Sequence, residues 1–410
     1  MNKENKFNQT SGKKQAWQYG VKVKVVGVGG GGGNAISRMS KDFIRGVEFI
    51  AINTDMQDLE FCEARKKIHI GRNLTAGLGA GMNPEIGAKS AEENKNDVIE
   101  ALEGADLVFL TAGFGGGTGT GALPVVAEIA KELGILTIAV VTKPFSFEGA
   151  QRSKIAQEGI ARLKDKVDAL IVVPNDRIFS IINKDTPIIK AFIEIDEVLK
   201  NAVQGIVELI VSPGIINVDF ADVRTIMSGA GSAIVGVGVA SGQERATDAA
   251  RQAINSPLLE VAVDGARGVL FGVSGGRDIK MTEINEAAKV ITESVDPTAK
   301  IIFGAYNDKK LKQGQMKITL IATGFSGTRP PVSSLFNRGE SVGAQNTAET
   351  IGASSIFRKV TDNSMPISSS QKENLFIGGI SRINGREEKE KKEETGSMWD
   401  IPTFLRRKKK

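Results

Sequence analysis

Two glycine-rich runs constrain this chain more than anything else in it: GVGGGGGNA at 27–35 and GFGGGTGTGA at 113–122. Each follows an apolar run that reads as a strand and precedes a stretch with helical periodicity. The strand candidates are Val21–Val28, Phe49–Asn53, Leu107–Thr111, Leu136–Val141 and Ala169–Val173, all rich in Val, Ile or Leu. Helical stretches between them include Asn34–Phe43, Ala91–Leu102, Ala122–Leu133 and Ala150–Lys164. Continuous apolar strands separated by amphipathic helices predict a parallel sheet covered on both faces. The expected fold class is therefore α/β, beginning with a doubly wound, mostly parallel nucleotide-binding domain at 21–187.

From 188 to 211 apolar residues recur around the whole circumference of one helical run, with Pro187 at its start and Pro213–Gly214 at its end. That pattern places a long central helix between two domains rather than on a surface. Strands at Ser232–Val239, Gly268–Val273, Ile301–Ala305 and Lys317–Ala322, with helices at Arg245–Asn255 and Thr282–Ser294, predict a second, smaller α/β domain over 212–325. The polar residues 1–20 read as a disordered leader. The Ser-, Asn- and charge-rich stretch 326–395 reads as a flexible linker, and 396–410, which contains MWDIPTFLRRKKK, reads as a compact apolar and basic tip.

Composition removes several function classes. Hydrophobic residues at 41% and charged residues at 25% are a globular balance. The net charge of +5 comes from the five basic residues that close the chain, Arg406 to Lys410, so the body is neutral and a nucleic-acid partner is not expected. One cysteine (Cys62) and one histidine (His69) exclude an internal disulfide and an ordinary zinc site, and suggest a reducing compartment. No run approaches the ~18 apolar residues of a membrane span.

Glycine lets backbone N–H groups approach phosphate closely, and a following helix N-terminus adds positive potential. Gly27, Gly29 and Gly32 fit G-x-G-x-x-G, with Asp55 near the end of the next strand, so an NAD-dependent oxidoreductase is the competing reading. The second loop weighs against it: a dinucleotide fold needs only one, and two on one sheet converge on one polyphosphate, with Thr118 and Thr120 adding hydroxyl donors. A standard phosphate loop is excluded, because Phe7 stands where G-x-x-x-x-G-K needs glycine before Gly12–Lys13. The string Asn94-Lys95-Asn96-Asp97 imitates a guanine-reading motif but reads as a solvated helix face.

The string GGGTGTG is far more specific than a lone fingerprint, and with it the chain resembles the tubulin/FtsZ GTPase family, in particular its bacterial cell-division members. The resemblance runs from about Val21 to Phe325 and resumes at the C-terminus. Its supporting strings are GGGGGNA (29–35), NTD (53–55), GLGAGMNP (77–84), KPFSFEGAQR (143–152), PND (174–176) and NVDFADV (217–223). It implies a GTP-dependent filament-forming GTPase that builds a division ring, hydrolyses GTP at head-to-tail contacts, and binds GTP or GDP with Mg2+. It further implies self-assembly, a cytoplasmic location at mid-cell, and a tail that binds FtsA or an equivalent membrane-tethering adaptor.

The same resemblance implies that Gly30, Gly31, Gly32, Gly33 and Asn34 contact nucleotide from the first loop, and that Gly115, Gly116, Gly117, Thr118 and Gly119 cradle phosphates. Ala80 and Gly81 would face the γ-phosphate. Glu148 and Arg152 would hold ribose and phosphate, and Asn175 with Asp196 would read guanine, whose N–H donors suit carboxylate and amide oxygens. Phe192, one helical turn before Asp196, either stacks on the base or packs in the core. After the long helix, Asn217, Asp219 and Asp222 form a polar cluster in which carboxylates can orient an attacking water, while Asp219 can equally cap the helix FADVRTIM. His69 reads as structural, and Cys62 as a partly buried helix residue.

Overall fold

The computed structural model describes residues 20–42, 46–183, 185–211, 214–256, 263–308 and 310–325, all within one compact unit. The expected leader 1–20 (apart from Gly20), the linker and the tail lie outside the described residues. The first half runs β1 (Val23–Val28), α1 (Gly29–Asp42), β2 (Val47–Asn53), α2 (Met56–Phe61), β3 (Lys66–His69), α3 (Arg72–Thr75), α4 (Pro84–Glu93) and α5 (Lys95–Leu102). It continues with β4 (Leu107–Gly113), α6 (Thr118–Glu132), β5 (Leu136–Lys143), α7 (Ala150–Lys164) and β6 (Ala169–Pro174). Then come α8 (Ile188–Val211), α9 (Phe220–Met227), β7 (Gly231–Ser241), α10 (Arg245–Ile254), β8 (Gly268–Gly275), α11 (Met281–Glu293), β9 (Lys300–Asn307) and β10 (Gln315–Thr323).

The strands form one sheet in the order β3-β2-β1-β4-β5-β6-β7-β10-β8-β9. Pairing is parallel from β3 to β7; β10 runs antiparallel between β7 and β8, and β9 is parallel to β8. The apolar runs are buried on both faces, as a parallel sheet with helices on each side requires. One core cluster joins the sheet to α1, α2, α8 and α9, and a second joins the opposite face to α4, α5, α6 and α7. A third packs α10 and α11 on the last strands. The two halves meet where Ala169–Ile171 of β6 pairs with Gly231–Ala233 of β7. α8 lies under this seam: Leu199, Val203, Ile206 and Val207 share a cluster with Ile171, Ala233, Leu270 and Ile321. No helix among the described residues is long and apolar enough to cross a membrane.

Three helices differ from the sequence expectation for identifiable reasons. α1 and α6 begin inside the glycine runs, at Gly29 and Thr118, not after them. Contact outweighs propensity there: a Cβ on Gly32 would lie 2.6 Å from the Thr111 carbonyl oxygen, and one on Gly121 would lie 1.9 Å from that of Pro84. The single helix expected over 91–102 is two, broken at Asn94. The Asn94 amide donates to Asp97 (2.8 Å) and accepts from the Gly71 N–H (2.9 Å), so this residue is a junction rather than a solvated helix face. Cys62 is fully buried at the C-cap of α2, where its sulfur accepts from Ser37 Oγ. His69 is buried on β3 with Nε2 3.3 Å from the Thr54 carbonyl oxygen.

Candidate functional site

At the carboxyl ends of β1, β4, β5 and β6 lies a cleft of about 420 Å3, within the ~300–1,000 Å3 usual for small-molecule sites. The starts of α1 and α6 form its floor through Gly29, Gly30, Gly31 and Gly116, Gly117, Thr118. Neither helix has an acidic residue in its first turn, and α6 has no side-chain cap. α7 starts equally bare after Gly149 and brings Arg152 to the wall. Three other helices differ. Asp55, Asn83 and Asp219 cap α2, α4 and α9, each with an acid in the first turn. Helix N–H groups left uncapped, with no carboxylate to neutralise the dipole, favour an anion.

The floor also has room for one. A Cβ on Gly116 or Gly81 would meet no heavy atom within 4 Å, so nothing in the protein requires glycine at Gly116. Gly117 differs: its Cβ would sit 2.8 Å from Ala80 Cβ and from the Asn83 nitrogen, which seats the 77–84 loop against the second glycine loop. Thr118 Oγ1 lies 2.7 Å from Thr54 Oγ1 at the cleft. Thr120 does not supply the expected ligand-facing hydroxyl; it is buried and its Oγ1 accepts from the Gly115 N–H (3.0 Å). Four expected contacts stand behind the wall. Gly32 faces Thr111, Gly33 faces Cys62, Gly115 faces Arg152 and Pro144, and Ala80 is buried against Gly117.

The far end of the cleft is built by Asn175, at the start of a 3-10 turn, and by Phe192, Ile195, Asp196 and Leu199 of α8. Asn175 Oδ1 is buried with no hydrogen-bond partner, a costly state that an N–H donor on a ligand would relieve. Phe192 is half-buried, with its ring edge-on to Phe145 at 5.6 Å. Burial pushes the Asp196 carboxyl up to about 6, while the Arg38 guanidinium that donates to it pulls the other way. On the opposite wall Glu148 spends both oxygens inside the protein, on the Phe145 N–H (2.9 Å) and on Arg152 (2.8 Å). Asn34, Arg38, Asp55, Asp58, Leu78, Met82 and Thr142 also line the cleft. Of these the motifs indicated Asn34 and, through the dinucleotide fingerprint, Asp55.

Asn217, Asp219 and Asp222 are absent from this lining, and all three are exposed. Asn217 Oδ1 accepts from the Gly214 N–H (2.6 Å), and Asp219 Oδ1 caps the Ala221 N–H (3.5 Å). The Asp222 side chain takes no partner among the described residues. From Asp196 to Val211 the helix alone covers about 22 Å at ~1.5 Å per residue. Among the described residues no group of three or more His, Cys, Asp or Glu could hold a metal.

Comparison with known proteins agrees along most of this length. The GTPase domain of the Tubulin/FtsZ family matches residues 22–183, and the C-terminal domain of the FtsZ family matches 231–326. The structure is similar to an empty FtsZ dimer from M. jannaschii, at 48% identity and TM-score 0.71 over 75% of this chain and 89% of that one. A mutant form of FtsZ from M. jannaschii gives 47% identity and TM-score 0.72 over 75% and 92%. At 24% identity and TM-score 0.66, CetZ2 from Haloferax volcanii, in a GTPγS-bound protofilament, shares the fold over 78% of this chain and 97% of its own.

Proposed function

Because this chain belongs to the tubulin/FtsZ family, and is a filament-forming cytoskeletal GTPase, we propose that the cleft holds GTP with its phosphates on the bare starts of α1 and α6 and its guanine at Asn175 and Asp196. One observation carries the reading: the uncapped N-terminus of α6 and an orphaned buried amide oxygen, that of Asn175, line the same cleft. Phe192 flanks the base, and Gly81 and Thr118 border the terminal phosphate. The alternative oxidoreductase has no such support: its fingerprint glycines Gly27 and Gly32 pack strand against helix, and the Asp55 carboxylate caps α2.

A Mg2+ ion fits this site as a companion of the nucleotide, since it keeps water and phosphate oxygens as ligands and needs few from protein. The wall carries four carboxylates, Asp55, Asp58, Glu148 and Asp196, from which any protein carboxylate ligand would have to come, and the ion's contribution is to offset phosphate charge. Hydrolysis needs a water-orienting group within about 3 Å of the water. In this proposal Asp222, with Asp219 and Asn217 shaping its loop, supplies that group to the cleft of the next copy. A head-to-tail contact of this kind does not close on itself and so propagates as a filament. The division into a binding part (21–187), a central helix (188–211) and an activating part (212–325) belongs to the same proposal. So do a bacterial division ring at mid-cell in the cytoplasm and a tail at 396–410 that binds FtsA or an equivalent adaptor.

Two defective variants test the shared site. Asp222→Ala keeps a sound cleft, and Thr118→Val keeps a sound loop. Mixed filaments contain junctions with both halves intact, so their phosphate release should exceed the sum of the separate rates. Strictly additive rates in filaments shown by sedimentation to be mixed would refute the shared site.

A further inference from the structure

Arg38 carries no motif, yet within the cleft lining it joins α1 to α8. It sits on α1, and its Nη1 donates to Asp196 Oδ2 and to the Phe192 carbonyl oxygen (3.3 Å) on α8. Both side chains are largely shielded, 17% and 15% exposed, and both line the cleft. Among the described residues Arg38 is the one donor that reaches the Asp196 carboxylate. Because that contact uses one lone pair of Oδ2, the other oxygen and the remaining lone pairs stay available to a ligand.

The protonation state of Asp196 decides what it can read. An ionised carboxylate accepts from two adjacent N–H groups, such as N1–H and the 2-amino group of guanine. A protonated acid offers one acceptor and a competing donor. Burial favours the protonated form, and the neighbouring carboxylate of Glu197, itself paired with Lys200, pushes the same way. Glu148 and Arg152, across the cleft, are engaged with each other. Arg38 is the opposing charge.

We propose that Arg38 is a specificity-determining positioning residue: by holding Asp196 as an oriented, ionised carboxylate, it makes this end of the cleft select a base with two adjacent N–H donors. The inference rests on the proposed placement of guanine at Asp196. Its sign follows from linkage. With Arg38 present, Asp196 is ionised at neutral pH and protonates as pH falls through about 6. With the guanidinium removed, the same protonation moves upward into the neutral range.

The test is equilibrium binding of GTP and of ITP, which lacks the 2-amino group, to the full-length, nucleotide-stripped protein between pH 6.5 and 8.5. For the wild type the GTP/ITP preference should be nearly flat above pH 7. Arg38→Met should weaken GTP about 10- to 100-fold at pH 7, compress the preference towards unity, and recover as pH rises to 8.5. Arg38→Lys, which restores a cation, should shift the profile back towards neutral pH. Arg38→Met combined with Asp196→Asn should lose the recovery, because nothing remains to ionise. If Arg38→Met does not fold, Arg38→Gln carries the same test, since it keeps a donor without charge. Asp196→Ala separates the two levels of the argument. Wild-type GTP affinity and preference in that variant would refute the placement of guanine. Loss of preference in Asp196→Ala, with a flat pH profile and unchanged preference in Arg38→Met, would overturn the role of Arg38 alone.

Discussion

Gly116 offers the sharpest separation of binding from folding. A Cβ there meets no protein atom within 4 Å, and its φ lies outside the left-handed region, so Gly116→Ala leaves the empty protein unstrained. Its melting temperature without nucleotide should match the wild type, as for other substitutions that touch nothing, within about 0.5 kcal/mol. In the proposed placement, the space it fills is where phosphate oxygens would meet the N–H groups of 116–118. Each hydrogen bond to a charged partner contributes about 1.5–3 kcal/mol, so displacing one weakens GTP roughly 10- to 150-fold. Thermal unfolding reads the difference directly. With GTP at 100 times the wild-type Kd, the wild type gains about 2.7 kcal/mol, and a variant 100-fold weaker gains only about 0.4 kcal/mol. Gly116→Val should lose more. Gly117→Ala is the counterpart: its Cβ would press on Ala80 and Asn83, so it should unfold earlier even without ligand. Undiminished GTP protection in Gly116→Ala would refute the phosphate placement, and a collapsed melting temperature without ligand would refute the open space.

Away from the cleft, Arg245 is buried with Glu283 on two hydrogen bonds (2.7 and 2.9 Å) and with Asp278 (2.6 Å), which holds both carboxyls below their ordinary values. Such depressed groups stabilise the fold above the unfolded carboxyl value of about 4.3, and that stability is lost as pH falls through the lower folded value. The urea-midpoint gap between wild type and Glu283→Gln should therefore hold from pH 5 to 8 and shrink below about pH 4; a gap independent of pH would contradict it. Glu208 is buried between Tyr306 Oη and Lys317 Nζ, both at 3.0 Å. Tyr306→Phe should cost about 1–2 kcal/mol, and Lys317→Met should cost more, about 3–5 kcal/mol, because it leaves a buried charge; the reverse order in urea unfolding would show that Glu208 is not the anchor. A chain ending at Phe325 should still bind GTP and sediment as filaments while losing its adaptor, and loss of GTP binding would place the boundary elsewhere.

Much of the fold was legible in the sequence. α7 and α8 begin and end where the residues indicated, Ala150–Lys164 and 188–211, because Gly149 and Pro187 mark their starts. The early starts of α1 and α6 were hidden because glycine propensity argues against helix. The contacts that override it come from Thr111 and Pro84, far along the chain. At the site, motif strings pointed to the glycine loops and Asn175, and the family resemblance to Asp196; the structure puts Asn175 and Asp196 in one cleft lining. Arg38 was not: it acquires meaning only when α8 arrives 158 residues later. Gly32 and Gly115 show the opposite failure, since a motif cannot tell a glycine that faces a ligand from one that lets two backbones approach.

One signal in the sequence does make part of that distinction. Asp55, Asn83 and Asp219 precede α2, α4 and α9, with Asp58, Glu85 and Asp222 three, two and three residues on, so these helix starts neutralise themselves. α1 opens on five glycines directly after Val28, and α6 follows Gly115–Gly117, with no acid in the first turn of either. A helix start with neither a side-chain cap nor an acid, as at α6 and α7, leaves N–H groups for something else, and residues from both starts line the same cleft. The contrast also bears on the loop after α8. Asp219 is already engaged as the cap of α9, whereas Asp222, in the same exposed turn, has no partner among the described residues. Of the two carboxylates that the sequence left equivalent, Asp222 is the one free to serve another molecule.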